Sequence, residues 1–276
     1  MTASPEIGRM IVAAGIPTNV HDTGHDPGGG TVLLIHGSGP GVSAWANWRL
    51  TIPALSPHFR VIAPDVVGFG FTERSATSYD LDTWTAHVVG VLDALGIDRA
   101  HVVGNSFGGS LALALAIHHP DRVRRLGLMG AVGLDFPITP GLDAVWGYQP
   151  SVESMAELLS IFTATPAPGL QQLAELRYQA SIRPGVHEAY ASMFPAPRQR
   201  WVQALAHAES EVASIDAPTM IFHGREDRVI PLSTSLRLFE LIPDAQLHLF
   251  GQCGHWTQIE HAEEFNRILR DFLLDG

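Results

Sequence analysis

Cysteine is nearly missing from this chain of 276 residues: Cys253 is the only one, so no disulfide can close within the chain and no cluster of thiolates can hold a metal. A lone thiol fits a reducing compartment. The segment Met1–Glu6 has neither the basic start nor the apolar core of a signal peptide. No apolar run reaches the roughly 20 residues that span a bilayer. The expectation is a cytoplasmic protein that does not enter the membrane. Charge is scarce, at 16% of residues, and acids outnumber bases, for a formal net charge of −11. That balance excludes nucleic acid and anionic membrane surfaces as partners. A local arginine in a dry pocket can still bind an anionic small molecule. No two histidines show zinc-ligand spacing, and neither a metal nor a cofactor is expected. Internal repeats and low-complexity tracts are absent as well. What is abundant is core material: 46% of residues are hydrophobic, enough for one large domain.

The order of apolar runs gives the architecture. Residues 7–12 and 16–21 read as two strands around the turn Ala14-Gly15, and the continuous run Thr31–Ile35 as a strand buried on both faces. A helix from Trp45 to about Pro53–Ser56, a strand at 60–63 and an amphipathic helix over 80–95 follow, with Gly96 beyond its end. Next come a strand at 101–103, a helix ending at His118-His119-Pro120, and a strand at 123–129. Strands alternating with helices imply a mostly parallel sheet flanked by helices, with ligands at the carboxyl ends of the strands. The loops after residues 35, 63, 103 and 129 should therefore meet at one edge. Between 135 and 215 prolines punctuate helical pieces and no buried strand is read. The alternation resumes with a strand at 218–222, a helix at 232–242, a strand at 246–250 and an amphipathic helix at 259–274. The expected organisation is a core, 1–134 and 216–276, interrupted by a helical cap, 135–215.

Gly104-Asn-Ser-Phe-Gly108 sits between a β-branched run and an alanine- and leucine-rich one. Strand, tight turn and helix, with Ser106 at the apex, is the nucleophile elbow of the α/β-hydrolase fold. A serine hydroxyl needs a neighbouring base, and the base a carboxylate to hold its tautomer. In this fold the order is serine, acid, histidine. Asp227, after the strand ending at Phe222, is the expected acid, with Glu226 as its rival. His255, in the glycine-flanked turn after Phe250, is the expected base. The glycine-rich loop His36–Gly41 follows the strand beside the elbow, so the amides of Ser38 and Phe107 are assigned to an oxyanion hole. Of the other histidines, His21, His25, His58, His87, His207 and His261 are expected at the surface. His118 and His119 belong at a helix C-terminus, and His36 in a structural hydrogen bond.

Three stretches together, His36-Gly-Ser-Gly-Pro-Gly41 with Trp45-Ala-Asn-Trp48, Gly104–Gly109, and Gly251–His261, resemble the meta-cleavage product hydrolases. These are serine-dependent carbon–carbon bond hydrolases of bacterial aromatic degradation. The resemblance extends through the cap stretches Gly141–Tyr148, Leu176–Ser181 and Met193–Trp201, which look most like the branch serving phenol and toluene catabolism. It implies a 2-hydroxy-6-oxohexa-2,4-dienoate as substrate, with 2-hydroxymuconate semialdehyde foremost. It further implies Arg177 as the cation for the carboxylate, Asn47 and Asn105 as polar partners near that end, and Trp256 as the aromatic beside the histidine. Arg183, Arg198 and Arg200 compete with Arg177 and are expected at the surface. The stretch Thr163–Gly169 departs from the family pattern, while the small Val229 favours formyl or short alkyl tails. The expected partners are the anionic dienoate and further copies of the chain, as a homodimer or larger homo-oligomer. A carboxylesterase with the same triad, and a ligand receptor with little turnover, are the alternatives.

Overall fold

The computed structural model describes residues 4–75, 78–165 and 169–275. Its spine is an eight-stranded sheet in the order β1-β2-β4-β3-β5-β6-β7-β8. β1 (Arg9–Ala13) and β2 (Ile16–Asp22) form an antiparallel hairpin, and β2 runs antiparallel to β4. The hairpin turns on Ala14 and Gly15, both at positive φ. β3 (Thr31–Ile35), β4 (Arg60–Pro64), β5 (Ala100–Asn105), β6 (Val123–Met129), β7 (Thr219–Gly224) and β8 (Ala245–Phe250) are parallel neighbours. The loops leaving their carboxyl ends therefore gather along one edge, as the alternation of runs implies.

The first part of the chain supplies helices α1 (Ala44–Trp48), α2 (Ile52–Leu55), α3 (Leu81–Ala94) and α4 (Phe107–His118), with a 3₁₀ turn at Pro120–Arg122. Between β6 and β7 the described residues contain no strand. They form α5 (Pro140–Trp146), α6 (Val152–Phe162), α7 (Leu170–Ser181), α8 (Val186–Met193), α9 (Gln199–Ala204) and α10 (Glu209–Val212). After β7 come α11 (Leu232–Leu241), then beyond β8 the pair α12 (Thr257–Glu260) and α13 (Ala262–Leu274).

Hydrophobic burial holds these layers together on both faces of the sheet. α4 buries every residue from Phe107 to Ala116, because sheet, α3 and the inserted helices enclose it. The Phe107 ring meets Trp84 edge-on at 4.7 Å and lies 6.4 Å from Phe194 of the inserted segment. Burying such a ring stabilises by roughly 2–3 kcal/mol. On the opposite face α13 turns Phe265, Leu269, Phe272 and Leu273 inward, next to Phe222 and Phe250.

Four expectations need correction. The helix expected from Trp45 onward is two short ones. Pro53 lacks the N–H that a continuous helix would need, so the chain turns at Thr51 and restarts. The last helix breaks at His261, whose backbone (φ −124°, ψ 40°) is not helical and whose ring packs 5.1 Å from that of Phe250. His87 and His207 are buried, not exposed. His87 lies 2.8 Å from the Thr18 hydroxyl on β2, and burial pushes its pKa down to about 4. His207 reaches the Ser110 carbonyl at 3.0 Å, and burial lowers its pKa as well. Both partners are remote in sequence, so local polarity was a poor guide. Arg183 is half-buried, with its guanidinium 3.9 Å above the Phe71 ring.

Candidate active site

β5 delivers Ser106 at φ +54° and ψ −116°, a backbone state that costs a side-chain-bearing residue roughly 1–3 kcal/mol. The surroundings hold it there. Ser106 N–H donates to the Met129 carbonyl at 2.8 Å, and its own carbonyl accepts from Gly109 and Val132. A Cβ on Gly104 would run into the Gly108 carbonyl, and one on Gly108 into the carbonyls of Ile35 and His36, so the turn closes only with glycine at both places.

Asp227 follows β7 and is nearly sealed from solvent, with 1% of its side chain exposed. Its Oδ1 accepts the amides of Val229 (2.7 Å) and Ile230 (3.0 Å), and its Oδ2 accepts His255 Nδ1 at 2.7 Å. Burial alone would raise this carboxyl. The charges of His255 and His223 and the hydrogen bonds outweigh it and hold the pKa below the usual carboxylate range. Glu226 points elsewhere, to the Cys253 amide and to Arg225. With Nδ1 on the carboxylate, Nε2 is the free nitrogen of the His255 ring. Its main-chain N–H donates to the Phe162 carbonyl at 2.8 Å, and its ring stacks on the Phe162 ring, so α6 fixes the histidine from above.

Ser106 and His255 line one cavity of about 220 Å³. Ser38, in the loop after β3, lines it too. The amides of Ser38 and Phe107 have no acceptor among the described residues, and Phe107 N–H opens α4, where the helix dipole favours negative charge. Trp146 donates its indole N–H to Ser38 Oγ at 2.9 Å, and the Tyr190 hydroxyl lies 3.1 Å from the Ser38 carbonyl. The inserted helices thus hold the loop as well as cover it.

Beyond the residues already placed, the polar lining comes from Asn47, Arg49, Asn105, Arg177, Gln258 and Glu6. Asn47 Oδ1 accepts from the Gly37 amide and from Asn105 Nδ2, while Asn105 Oδ1 is buried with no donor among the described residues. Arg177 on α7 pairs with Glu6 and donates to the Gly41 carbonyl. Arg183, Arg198 and Arg200 do not line the cavity. The apolar lining comes from Leu142, Val145, Met155, Leu159 and Val229, with the Trp256 ring stacked on Phe162 at 4.6 Å. Of the departing stretch Thr163–Gly169, residues 166–168 lie outside the described residues. Burial, then the nearby Glu260 and Asp227, push the Cys253 thiol far up, so it offers no rival nucleophile.

Glu6, Arg49, Trp146, Phe162 and Tyr190 were not singled out from the sequence. Glu6, Arg49 and Phe162 reach the cavity, and Trp146 and Tyr190 reach Ser38 at its wall, only through the docking of distant segments, and no local spacing marks them.

The α/β-hydrolase-fold family model matches residues 30–262. The chain is 61% identical over 274 residues to a 2-hydroxymuconate semialdehyde hydrolase of Pseudomonas sp. (strain CF600), covering 99% of this chain and 96% of that one. It is 60% identical over 269 residues to a 2-hydroxy-6-oxo-2,4-heptadienoate hydrolase of Pseudomonas putida, covering 97% and 96%. A solved structure of a serine-to-alanine mutant of a meta-cleavage product hydrolase from Pseudomonas fluorescens IP01, complexed with acetates, superposes with a TM-score of 0.95 at 57% identity over 98% of both chains. With those relatives and this sheet, the chain belongs to the meta-cleavage product hydrolases, carbon–carbon bond hydrolases of aromatic degradation built on the α/β-hydrolase fold.

Proposed function

We propose that this enzyme hydrolyses the C5–C6 bond of 2-hydroxymuconate semialdehyde to 2-hydroxypenta-2,4-dienoate and formate. The observation that carries the reading is the convergence on one cavity of Ser106, the Asp227-held His255 and the arginine Arg177. In this reading Arg177 takes the substrate carboxylate by charge-assisted hydrogen bonds. Asn105 Oδ1, left without a donor, accepts the 2-hydroxyl, with Asn47 holding the amide and Trp256 walling the site beside the histidine.

Water is split across the bond: hydrogen goes to C5 and hydroxyl to C6. The dienol first becomes a ketone, with His255 Nε2 carrying the proton to C5, so that the electron pair released at C5 on cleavage delocalises into the keto acid. Attack at C6 then builds an oxyanion, held by the Ser38 and Phe107 amides. Ser106 serves either as the attacking nucleophile, giving a formyl-enzyme, or as the group that activates water toward a gem-diol. The segment 135–215 acts as the cap over a core formed by 1–134 and 216–276. The enzyme works in the cytoplasm as a homodimer or larger homo-oligomer. Among the described residues no helix is long and apolar enough to cross a membrane.

The tail at C6 faces Val229, Leu142 and Met155 in this orientation. A panel of dienoates carrying hydrogen, methyl, isopropyl or phenyl at C6 tests the substrate. Hydrogen and methyl should give the highest kcat/KM, with phenyl lower by roughly 10-fold or more. Two of the relatives are named for the hydrogen- and methyl-bearing substrates. A preference for phenyl would overturn the assignment.

A further inference from the structure

The carboxylate anchor is already occupied by the protein itself. Glu6 Oε1 accepts from Arg177 Nη1 at 2.9 Å, and the two side chains are only 15% and 12% exposed. Glu6 belongs to the segment before β1, yet it is firmly tied. Its Oε2 accepts the Ser43 hydroxyl at 2.6 Å, and its carbonyl accepts from Asn19 Nδ2 at 3.0 Å and lies 3.2 Å from His21 Nε2. Ser43 caps α1, the helix that carries Asn47. Glu6 therefore stays beside Arg177 when a ligand enters. Arg49 lines the same part of the cavity and spends Nη1 on the Ala46 carbonyl. Two guanidinium groups and one carboxylate leave one net positive charge there, which one ligand carboxylate balances.

The geometry points to Glu6 as an internal competitor for the carboxylate anchor, one that loosens the hold on substrate and speeds release of the dienoate product. The inference rests on the reading that Arg177 receives the substrate carboxylate. Substrate and five-carbon product carry that same carboxylate. An unopposed arginine would bind both equally, which lowers KM without helping the chemical step and retards product departure. Glu6 offsets part of that attraction at every stage, product release included. It is a positioning residue that acts through Arg177 and does not touch the reacting atoms.

Three variants separate the possibilities, each read by KM for the semialdehyde and by the inhibition constant of sorbate, a stable dienoate. Glu6→Gln keeps the shape and removes the charge, so both constants should fall, by roughly 10-fold. Progress curves of that variant should slow earlier through product inhibition. Ser43→Ala leaves the charge and removes a donor from Oε2, so Glu6 pulls harder on Arg177 and both constants should rise by about two- to three-fold. Arg177→Gln should raise both by roughly 10- to 100-fold. If Arg177→Gln changes neither constant, the anchor itself is misassigned. If Arg177→Gln raises both while Glu6→Gln raises them or leaves them unchanged, the anchor stands and the role given to Glu6 is overturned. Should Glu6→Gln not fold, Ser43→Ala decides alone: constants that fall or stay level contradict the proposal.

Discussion

Ser106→Ala should lower the rate of dienoate cleavage by roughly 10⁴-fold or more while the variant still binds the dienoate, seen as a bound yellow chromophore that does not bleach. The expectation follows from where the hydroxyl sits. The strained turn, held by Met129, Gly109 and Val132, presents Oγ to the cavity that His255 also lines. Alanine keeps the backbone state and its hydrogen bonds, so the fold and the polar lining survive. The same variant reports on the mechanism before cleavage. If His255 alone moves the proton to C5, ketonised substrate should accumulate in it during a single turnover. Trapping an acylated Ser106 by rapid quench of the unmodified enzyme would establish the covalent route, and failure to trap one would favour the gem-diol. Ordinary turnover by Ser106→Ala would end the serine mechanism.

Asp227→Asn should cost on the order of 10³–10⁴-fold in kcat with little change in KM. The reason lies in the two backbone amides. Val229 and Ile230 both donate to Oδ1, so an asparagine keeps its carbonyl oxygen there and turns its NH₂ toward His255 Nδ1. Nδ1 must then accept, the ring proton moves to Nε2, and His255 can no longer take a proton from Ser106. Stability should follow pH in a defined sense. The native pKa of Asp227 lies below the unfolded value. Its contribution is therefore complete above the unfolded carboxylate pKa and lost as pH falls through the native one. Urea denaturation should show Asp227→Asn less stable than the unmodified protein at neutral pH, with the gap closing in acid. A gap that widens in acid would contradict the assigned ionisation.

Much of this was legible in the chain because each catalytic expectation tied a residue to a strand end. Ser106 follows β5, Asp227 follows β7 and His255 follows β8, and parallel strands bring such ends together whatever else varies. Gly224-Arg-Glu-Asp227 fits the Gly-x-x-Asp pattern of the superfamily, which favours Asp227 over Glu226, and in the structure only Asp227 meets His255. The same logic fails where a contact depends on docking. His87 looked like a surface residue because its partner, Thr18, is on a strand far away in sequence. Trp146 and Tyr190 reach Ser38 only once the inserted helices close over the core. The ion pair of Glu6 with Arg177 joins the first described turn of the chain to α7, and no periodicity connects the two.

The most direct test is the ratio of kcat/KM for 2-hydroxymuconate semialdehyde to that for p-nitrophenyl acetate, measured on one preparation. A cavity with an arginine for a carboxylate and a proton carrier for C5 predicts a ratio far above unity, on the order of 10³ or more. A ratio below unity, with the ester the better substrate, would show a carboxylesterase using the same Ser106, Asp227 and His255, and would contradict carbon–carbon cleavage as the work of this site.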